Sequence, residues 1–353
     1  MPGPDTGRDL LVRATTGDEA AFAALIQPHE RSVFRHCYRM LGSGTDAEDA
    51  VQETLVRVWR RLASFDGSGE FTGWLHTIAT NVCLDMLRSR HRRLDPVEHG
   101  PPSAPGRFSL VPDPDLWWVE PVGDAALAGP ADPQDEVVRR EEVSLAFVAA
   151  LQLLAPRQRA ALLLHDVLGF NHSEVSEVLG ITPSAVNSLL SRARQTVRAR
   201  PRVTSPDPAD GRVAELLDRY VRAWQLADIN AFVELVAEDV RFSMPPLSAW
   251  FDGRAAVTAF TEAAIFSAVR PHGVTMRAGR CNGQPAFATY GPDADGQLVA
   301  NGLQVLEIAD RSGRLAITAI VSFRDPRLVD RCGLPLAIAP ITGDLYLCHF
   351  PGK

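Results

Sequence analysis

The chain has 353 residues, 46% of them hydrophobic, and a net charge of −7 at pH 7; this length allows two or three domains, and this charge argues against a protein that coats nucleic acid by bulk positive charge. Five scattered cysteines, Cys37, Cys83, Cys281, Cys332 and Cys348, form no CxxC pair, so neither a zinc site nor a disulfide framework is expected, and no other cofactor is signalled. No apolar run reaches the ~18 residues that span a bilayer, and the N-terminus lacks the basic-then-apolar order of a secretory signal, so a cytoplasmic protein with no membrane partner is expected.

The stretch TDAEDAVQETLVRVWRRL (Thr45–Leu62) predicts a helix opened by a Thr45–Glu48 capping box. Ala47, Val51, Leu55, Val58, Trp59 and Leu62 would form its apolar face. Its other face offers Glu48, Asp49, Gln52, Glu53 and Arg60, a strip suited to a protein partner or simply to solvent. GEFTGWLHTIATNVCLDMLRSRHRR (Gly69–Arg93) predicts a second helix. Trp74, Leu75, Ile78, Ala79, Val82 and Met86 are its expected core stripe, with His76, Thr77, Thr80 and Asn81 outside. Its basic end, Arg88, Arg90, Arg92 and Arg93, suits the backbone and unstacked bases of a single strand, or equally a solvated helix terminus.

From Asp95 to Gln134 nine prolines interrupt helix and central strand alike, so this is a linker. Within it DPDLWWVEP (Asp113–Pro121) carries Trp117 and Trp118, expected to dock the linker on a neighbouring surface or in a small cluster of its own. LGITPSAVNSLLSRARQTVR (Leu179–Arg198) then reads as helix, tight turn, helix. Gly180 ends the first helix, and Thr182-Pro183 starts the second as N-cap and first helical residue. Val186, Leu189, Leu190, Ala193 and Val197 pack inward. Ser184, Asn187, Ser188, Ser191, Arg192, Gln195 and Arg198 stay outside, as in a major-groove reader or an ordinary amphipathic surface helix.

After a second break, RPRVTSPDPADG (Arg200–Gly211), helix-spaced Val213, Leu216, Leu217, Tyr220, Val221 and Trp224 precede strand patterns. Leu315, Ile317, Ala319, Val321 and Phe323 would share one strand face, and QLVANGLQVLEI is a second strand. Helices followed by antiparallel strands indicate an α+β domain. Asp239, Asp252, Tyr290 and His272 are its polar candidates, but no spacing joins them into an acid–base pair. Phe242, Met244, Trp250, Phe251 and Tyr290 either line a pocket or fill the core. The apolar tail LAIAPITGDLYLCHFPGK is expected to pack.

Two of these blocks, in this order, resemble the extracytoplasmic-function (ECF) group of bacterial sigma factors: DAEDAVQETLVRVW with FTGWLHTIATNVCLDMLR, then LLAPRQRAALLLHDVLGFNHSEVSEVLGITPSAVNSLLSRAR. The resemblance covers about Arg8 to Arg200. It implies that Asp49, Gln52 and Glu53 bind core RNA polymerase, which would supply most of the affinity for promoter DNA. It places Trp74, Thr77, Asn81, Arg88, Arg92 and Arg93 at the −10 element, where a flipped base is captured, and Ser184, Asn187, Ser188, Arg192 and Gln195 at the −35 element. The third block is similar to the SnoaL-like members of the cone-shaped nuclear-transport-factor-2-like (NTF2-like) fold.

The expected architecture is therefore multidomain: sigma domain 2 (1–95), a Pro-rich linker (96–134), sigma domain 4 with its helix-turn-helix (135–203), a SnoaL-like domain (204–335) and a tail (336–353). Both sigma domains are all-α. The implied function is promoter recognition without covalent catalysis, regulated in cis by intramolecular contacts from the C-terminal domain, with a small-molecule ligand of unidentified class as a further partner. Two other classes are a ligand-responsive helix-turn-helix regulator that does not engage polymerase and a SnoaL-type enzyme fused to a DNA-binding module. The Asp49–Gln52–Glu53 strip and the Asn81 region speak against the regulator.

Overall fold

The computed structural model describes residues 4–65, 70–89, 93–94, 100–104, 106, 108–109, 111–113, 117–128, 144–199, 206–207, 210–270 and 273–339. The chain divides into two compact units. The first comprises residues up to Arg93 with 126–133 and 146–200; the second comprises 94–125, 134–145 and everything from 201 onward.

The first unit is helical: α1 (Pro4–Thr15), α2 (Glu19–Ile26), α3 (Glu30–Leu41), α4 (Gly44–Arg61), α5 (Phe71–Leu87), α6 (Leu145–Gln152), α7 (Pro156–Leu162), α8 (His172–Leu179) and α9 (Pro183–Arg198). Helix α3 ends at Gly42, in the left-handed conformation (φ 71°), and the chain turns at once into α4. The cap of α4 is Ser43, whose Oγ accepts from the Asp46 N–H at 3.2 Å, and not the expected Thr45. Helix start signals at Ser43 and Thr45 compete, and the extended backbone at Ser43 (φ −141°, ψ 135°) decides for the earlier one. The buried face of α4 is accordingly Ala47, Ala50, Thr54 and Val58; Val51 and Leu55 are half-buried, and Trp59 sits at the rim against Phe22 (ring centroids 4.9 Å).

Helix α5 buries Leu75, Ile78, Ala79 and Val82 as expected, but His76 and Thr80, expected outside, are buried as well. The cause is that α5 packs against α3 as well as α4, so a second face meets protein. Trp74 is only half-buried, in a cluster with Phe65 and Phe71 (5.2 and 5.8 Å). The polar groups of that second face satisfy one another. Thr80 Oγ1 donates to the His76 carbonyl at 2.7 Å, so it accepts from His36 Nε2 at 2.8 Å. The His76 Nδ1–H donates to Thr72 O at 2.8 Å, and its Nε2 accepts from Ser32 Oγ at 3.2 Å.

The second unit is α+β. Helices α10 (Gly211–Gln225), α11 (Ile229–Val233) and α12 (Arg254–Phe260) pack on a sheet of β1 (Val236–Ser243), β2 (Trp250–Asp252), β3 (Thr275–Cys281), β4 (Gln284–Pro292), β5 (Leu298–Arg311) and β6 (Arg314–Phe323). The strand order is β2-β1-β6-β5-β4-β3, with β7 (Ala337–Ile338) beside β5. The β1–β6 pair is parallel, against the expectation of antiparallel strands throughout; the other pairs are antiparallel. Tyr220, Trp224, Phe232, Phe242, Phe251, Phe260, Phe266 and Phe287 fill the core. A last short helix, α13 (Arg327–Arg331), follows β6. The expectation of no disulfide is overturned here: Cys281 and Cys332 are joined, with Cα atoms 6.2 Å apart across 51 residues of sequence. Cysteine spacing is blind to such a pair because it is made by the fold and not by a local motif.

Candidate nucleic-acid interface and linker seat

The helix-turn-helix is built as the spacing demands. Asn171 caps α8 by accepting from the Ser173 and Glu174 N–H groups, and Gly180 closes it in the left-handed conformation (φ 60°, ψ 44°). Thr182 Oγ1 accepts from the Ala185 N–H at 3.3 Å, with Pro183 in the first turn of α9. Val186, Leu190 and Ala193 are buried, while Ser184, Asn187, Ser188, Ser191, Arg192, Gln195 and Arg198 are exposed. Ser188 Oγ bonds Ser184 O and Arg192 Nε bonds Ser188 O, both at 3.2 Å, so these side chains lie along one outward row. An open groove of about 580 Å³ runs beside them, lined by Asn187, Ser191, Arg194, Gln195 and Arg198 among others. Arg194 is committed elsewhere: Asp166 takes its guanidinium at 2.9 and 2.5 Å and holds its pKa up.

On α4, Asp49, Gln52 and Glu53 share an exposed face with Val56 and Trp59. Glu53 accepts from Arg57 at 2.7 Å, and Arg57 reaches Asp85 of α5 at 3.0 Å. On α5, Asn81 is exposed with its Nδ2 on Thr77 O (3.1 Å), Thr77 is half-buried, and Arg88 is exposed beside Asp85 (3.2 Å). Arg93 departs from expectation. It is 7% exposed and pairs with Asp46 at 3.1 Å, so it closes the first unit and is not presented to DNA. The charge run Arg88–Arg93 hides this, because a buried partner for one arginine comes from 47 residues away. Arg92 lies outside the described residues.

Sequence reasoning also missed Gln152 and Arg159. The Arg159 guanidinium is 2% exposed and donates to Leu151 O (2.9 Å), Gln152 O (3.2 Å), Leu154 O (3.3 Å), Gln152 Oε1 (2.5 Å) and Met40 O. Gln152 Nε2 donates to Arg39 O at 3.1 Å. Two residues of the helix-turn-helix block thus hold the last carbonyls of α3.

The chain matches known proteins over all three blocks. Family models for sigma-70 region 2, sigma-70 region 4 and the SnoaL-like domain match residues 25–93, 144–197 and 217–331. The ECF RNA polymerase sigma factor SigG of Mycobacterium tuberculosis is 42% identical over 320 residues, 89% of this chain and 84% of that protein. The chain belongs to the ECF sigma factors. SigJ of M. tuberculosis, also an ECF RNA polymerase sigma factor, is 35% identical over 225 residues, 63% of each chain. The crystal structure of M. tuberculosis SigJ covers 87% of this chain and 96% of its own, with a TM-score of 0.54 at 26% identity. An ECF sigma factor directs RNA polymerase to promoters, and this one carries a SnoaL-like domain after its two sigma regions.

In this sigma factor residues 94–125 of the linker between the two regions belong to the second unit, and 126–133 to the first. The Leu94 N–H donates to Trp117 O at 2.9 Å. Trp250 Nε1 donates to Gly100 O (2.9 Å), and the Ser103 N–H to Trp250 O (2.7 Å). Phe108 sets its ring edge-on to Phe251 and Phe260, at 5.5 and 5.1 Å. The last seat is the tight β3–β4 turn, Asn282-Gly283, where both residues have positive φ (56° and 71°) as an Asn-Gly hairpin requires. The Val122 N–H donates to Asn282 Oδ1 (2.9 Å) and the Asn282 N–H to Val122 O (3.0 Å). Asp124 accepts from the Gly283 N–H (2.7 Å) and from Arg280 Nε (3.1 Å). The two tryptophans divide: Trp118 is buried and Trp117 is 41% exposed. The Asn282-Gly283 pair is the sequence signal that marks this turn.

The five proposed pocket residues, Phe251 of the core among them, are all buried. Phe242 and Met244 are core residues, Trp250 bonds the linker, and Tyr290 Oη donates to Pro335 O at 2.8 Å. Asp239 is exposed and paired with Arg311 (3.0 Å), and His272 lies outside the described residues.

Proposed function

We propose that this sigma factor reads its promoter through the exposed rows of α5 and α9, and that its SnoaL-like domain governs the step in cis by holding the linker between regions 2 and 4. Asp49, Gln52 and Glu53 serve as the polymerase-binding strip. Thr77, Asn81 and Arg88, beside the Trp74 cluster, meet the opened −10 strand, and Ser184, Asn187, Ser188, Arg192 and Gln195 meet the −35 duplex. Extruding a −10 base costs a few kcal/mol of stacking, offset by stacking and backbone contacts. No catalytic step is assigned to the C-terminal domain; its role is binding.

The observation that carries the regulatory half is the set of hydrogen bonds that join Gly100, Ser103, Val122 and Asp124 of the linker to Trp250, Asn282 and Gly283 of the SnoaL-like domain. Each residue so fixed removes up to ~3.3–3.6 Å of reach from the chain that must connect two promoter-bound regions. Trp118 and Val119, buried in the same stretch, keep it from behaving as a coil.

The test is run-off transcription with core RNA polymerase across a promoter library, comparing the full chain with one ending at Asp207. Specific transcripts from both chains, more abundant from the shorter one, are the expected result. Equal transcription from the two would remove the regulatory role, and DNA binding without any transcript would favour a regulator that does not engage polymerase. With the full chain, Arg192→Ala is expected to lose roughly 1–3 kcal/mol at one promoter position if it reads a base edge.

A further inference from the structure

Gly123 lies against both cysteines of the disulfide. It forms an antiparallel bridge with Cys281. A Cβ built on it would also stand 3.0 Å from the Arg331 carbonyl oxygen and 3.0 Å from the Cys332 Cα, so the linker backbone rests directly on the backbone of Cys332. Its neighbours Val122 and Asp124 make the hydrogen bonds to Asn282, Gly283 and Arg280 described above. The seat therefore has a floor, the β3–β4 turn, and a wall, the chain at the end of α13. The Cys281–Cys332 bond is the covalent tie between them.

We propose that Cys281 and Cys332 are a thiol–disulfide modification site whose oxidised form fixes the linker in its seat and whose reduced form loosens it. The reaction is exchange with a dithiol reductant. Its thiolate attacks the Cys332 sulfur, the Cys281–Cys332 bond breaks and Cys281 leaves as thiolate. The second thiol of the reductant then resolves the mixed disulfide. Two electrons and two protons pass to the protein as two thiols, and the reductant becomes a disulfide. Both residues are buried, and Cys332 is the less buried of the two, 9% exposed against 0% for Cys281. Reduction returns freedom to the 51-residue loop that the bond closes, and with it to the wall behind Gly123. The remaining described cysteines do not compete for the reagent. Cys37 and Cys83 are buried in the first unit, and burial together with its hydrogen bond to Cys37 pushes the Cys83 thiol well up, away from the reactive thiolate. The modification site stands on this geometry; its consequence for transcription rests on the linker reading above.

The full chain is treated with diamide or with dithiothreitol, its free thiols are alkylated, and the modified residues are mapped by peptide mass. Hydrogen exchange is then followed across 117–124. A linked Cys281–Cys332 peptide is expected in the oxidised sample only. Exchange at the Val122 amide is expected to quicken at least about tenfold on reduction, with α9 unchanged. Cys332→Ser and Cys332→Ala, two variants in case one folds poorly, should exchange at the reduced rate whatever the reagent. Asn282→Ala should quicken exchange with the disulfide intact. Free Cys281 and Cys332 thiols after oxidation, or equal exchange at Val122 in the two states, overturns the proposal. If exchange changes with redox state while run-off transcription does not, the modification site stands and the linker's regulatory role falls.

Discussion

At the residue scale, burial decides which charged groups act outward. Arg88 and Arg93 close the same basic run, yet Arg93 is paired inside with Asp46, and removing one partner of a buried pair leaves the other uncompensated. Arg93→Ala is therefore expected to cost about 3 kcal/mol in urea unfolding, whereas Arg88→Ala should leave stability unchanged and weaken single-strand binding. A loss of strand binding without loss of stability for Arg93→Ala would return that residue to the interface. The buried imidazoles give a pH dependence with a definite sign. Burial pushes His36 well below its ordinary value of 6.5, helped by His76 and Arg39, and burial lowers His76 as well. Below pH ~6.5 the unfolded chain takes up these protons and the folded chain does not, so stability falls as pH falls through that range. Urea midpoints should decline from about pH 7.5 to about pH 5.5, above the carboxylate range, and His36→Gln with His76→Gln should flatten the decline. An equally steep decline in the double variant would place the effect elsewhere.

At the scale of elements, what the sequence makes legible is what local rules govern. The α8–turn–α9 unit follows its capping residues to the letter, because Asn171, Gly180, Thr182 and Pro183 each answer a backbone need within four residues. The outward rows of α4 and α9 follow from the 3.6 period. The same period misplaces His76 and Thr80, since one buried stripe per helix is its premise and α5 has two packed faces. Arg159 and Gln152 escape it for another reason: their partners are backbone carbonyls of α3, which no residue pattern encodes. Their contact has a functional reading. A compact body of ~150 residues has a radius of gyration near 15 Å, while promoter elements at −35 and −10 lie roughly 25 base pairs, or about 85 Å of duplex, apart. On the function proposed above, regions held by Arg159 separate to read both. Arg159→Met keeps volume and removes the donors; fluorophores at Arg60 and Ser191 should then report a longer distance in the free protein, approaching that of the polymerase-bound wild type. An unchanged distance in the variant would show that apolar packing, not Arg159, keeps the regions together.

At the scale of the whole molecule, the chain leaves the first unit at Arg93, is captured by the second, and returns to the first before its helix-turn-helix. A domain appended after both sigma regions thereby acquires mechanical access to the segment between them, and its leverage lies in a handful of bonds at Asn282, Gly283 and Arg280. These bonds belong to the second unit and the residues assigned to DNA and polymerase to the first, so weakening them tests the lever without altering the contacts it moves. Asp124→Ala removes two acceptor contacts, and Asn282→Gly removes the Oδ1 contact while keeping a residue that tolerates positive φ at the turn. Each is expected to raise run-off transcription from a specific promoter in the full chain, and the pair together should approach the chain that ends at Asp207, because both release the same segment. Affinity for core polymerase in the absence of DNA should stay the same, since the α4 strip is unaltered. A fall in transcription would reverse the sign and make the held linker the active form. No change, with faster exchange at Val122 showing that the seat had opened, would mean that the linker's reach does not limit promoter engagement.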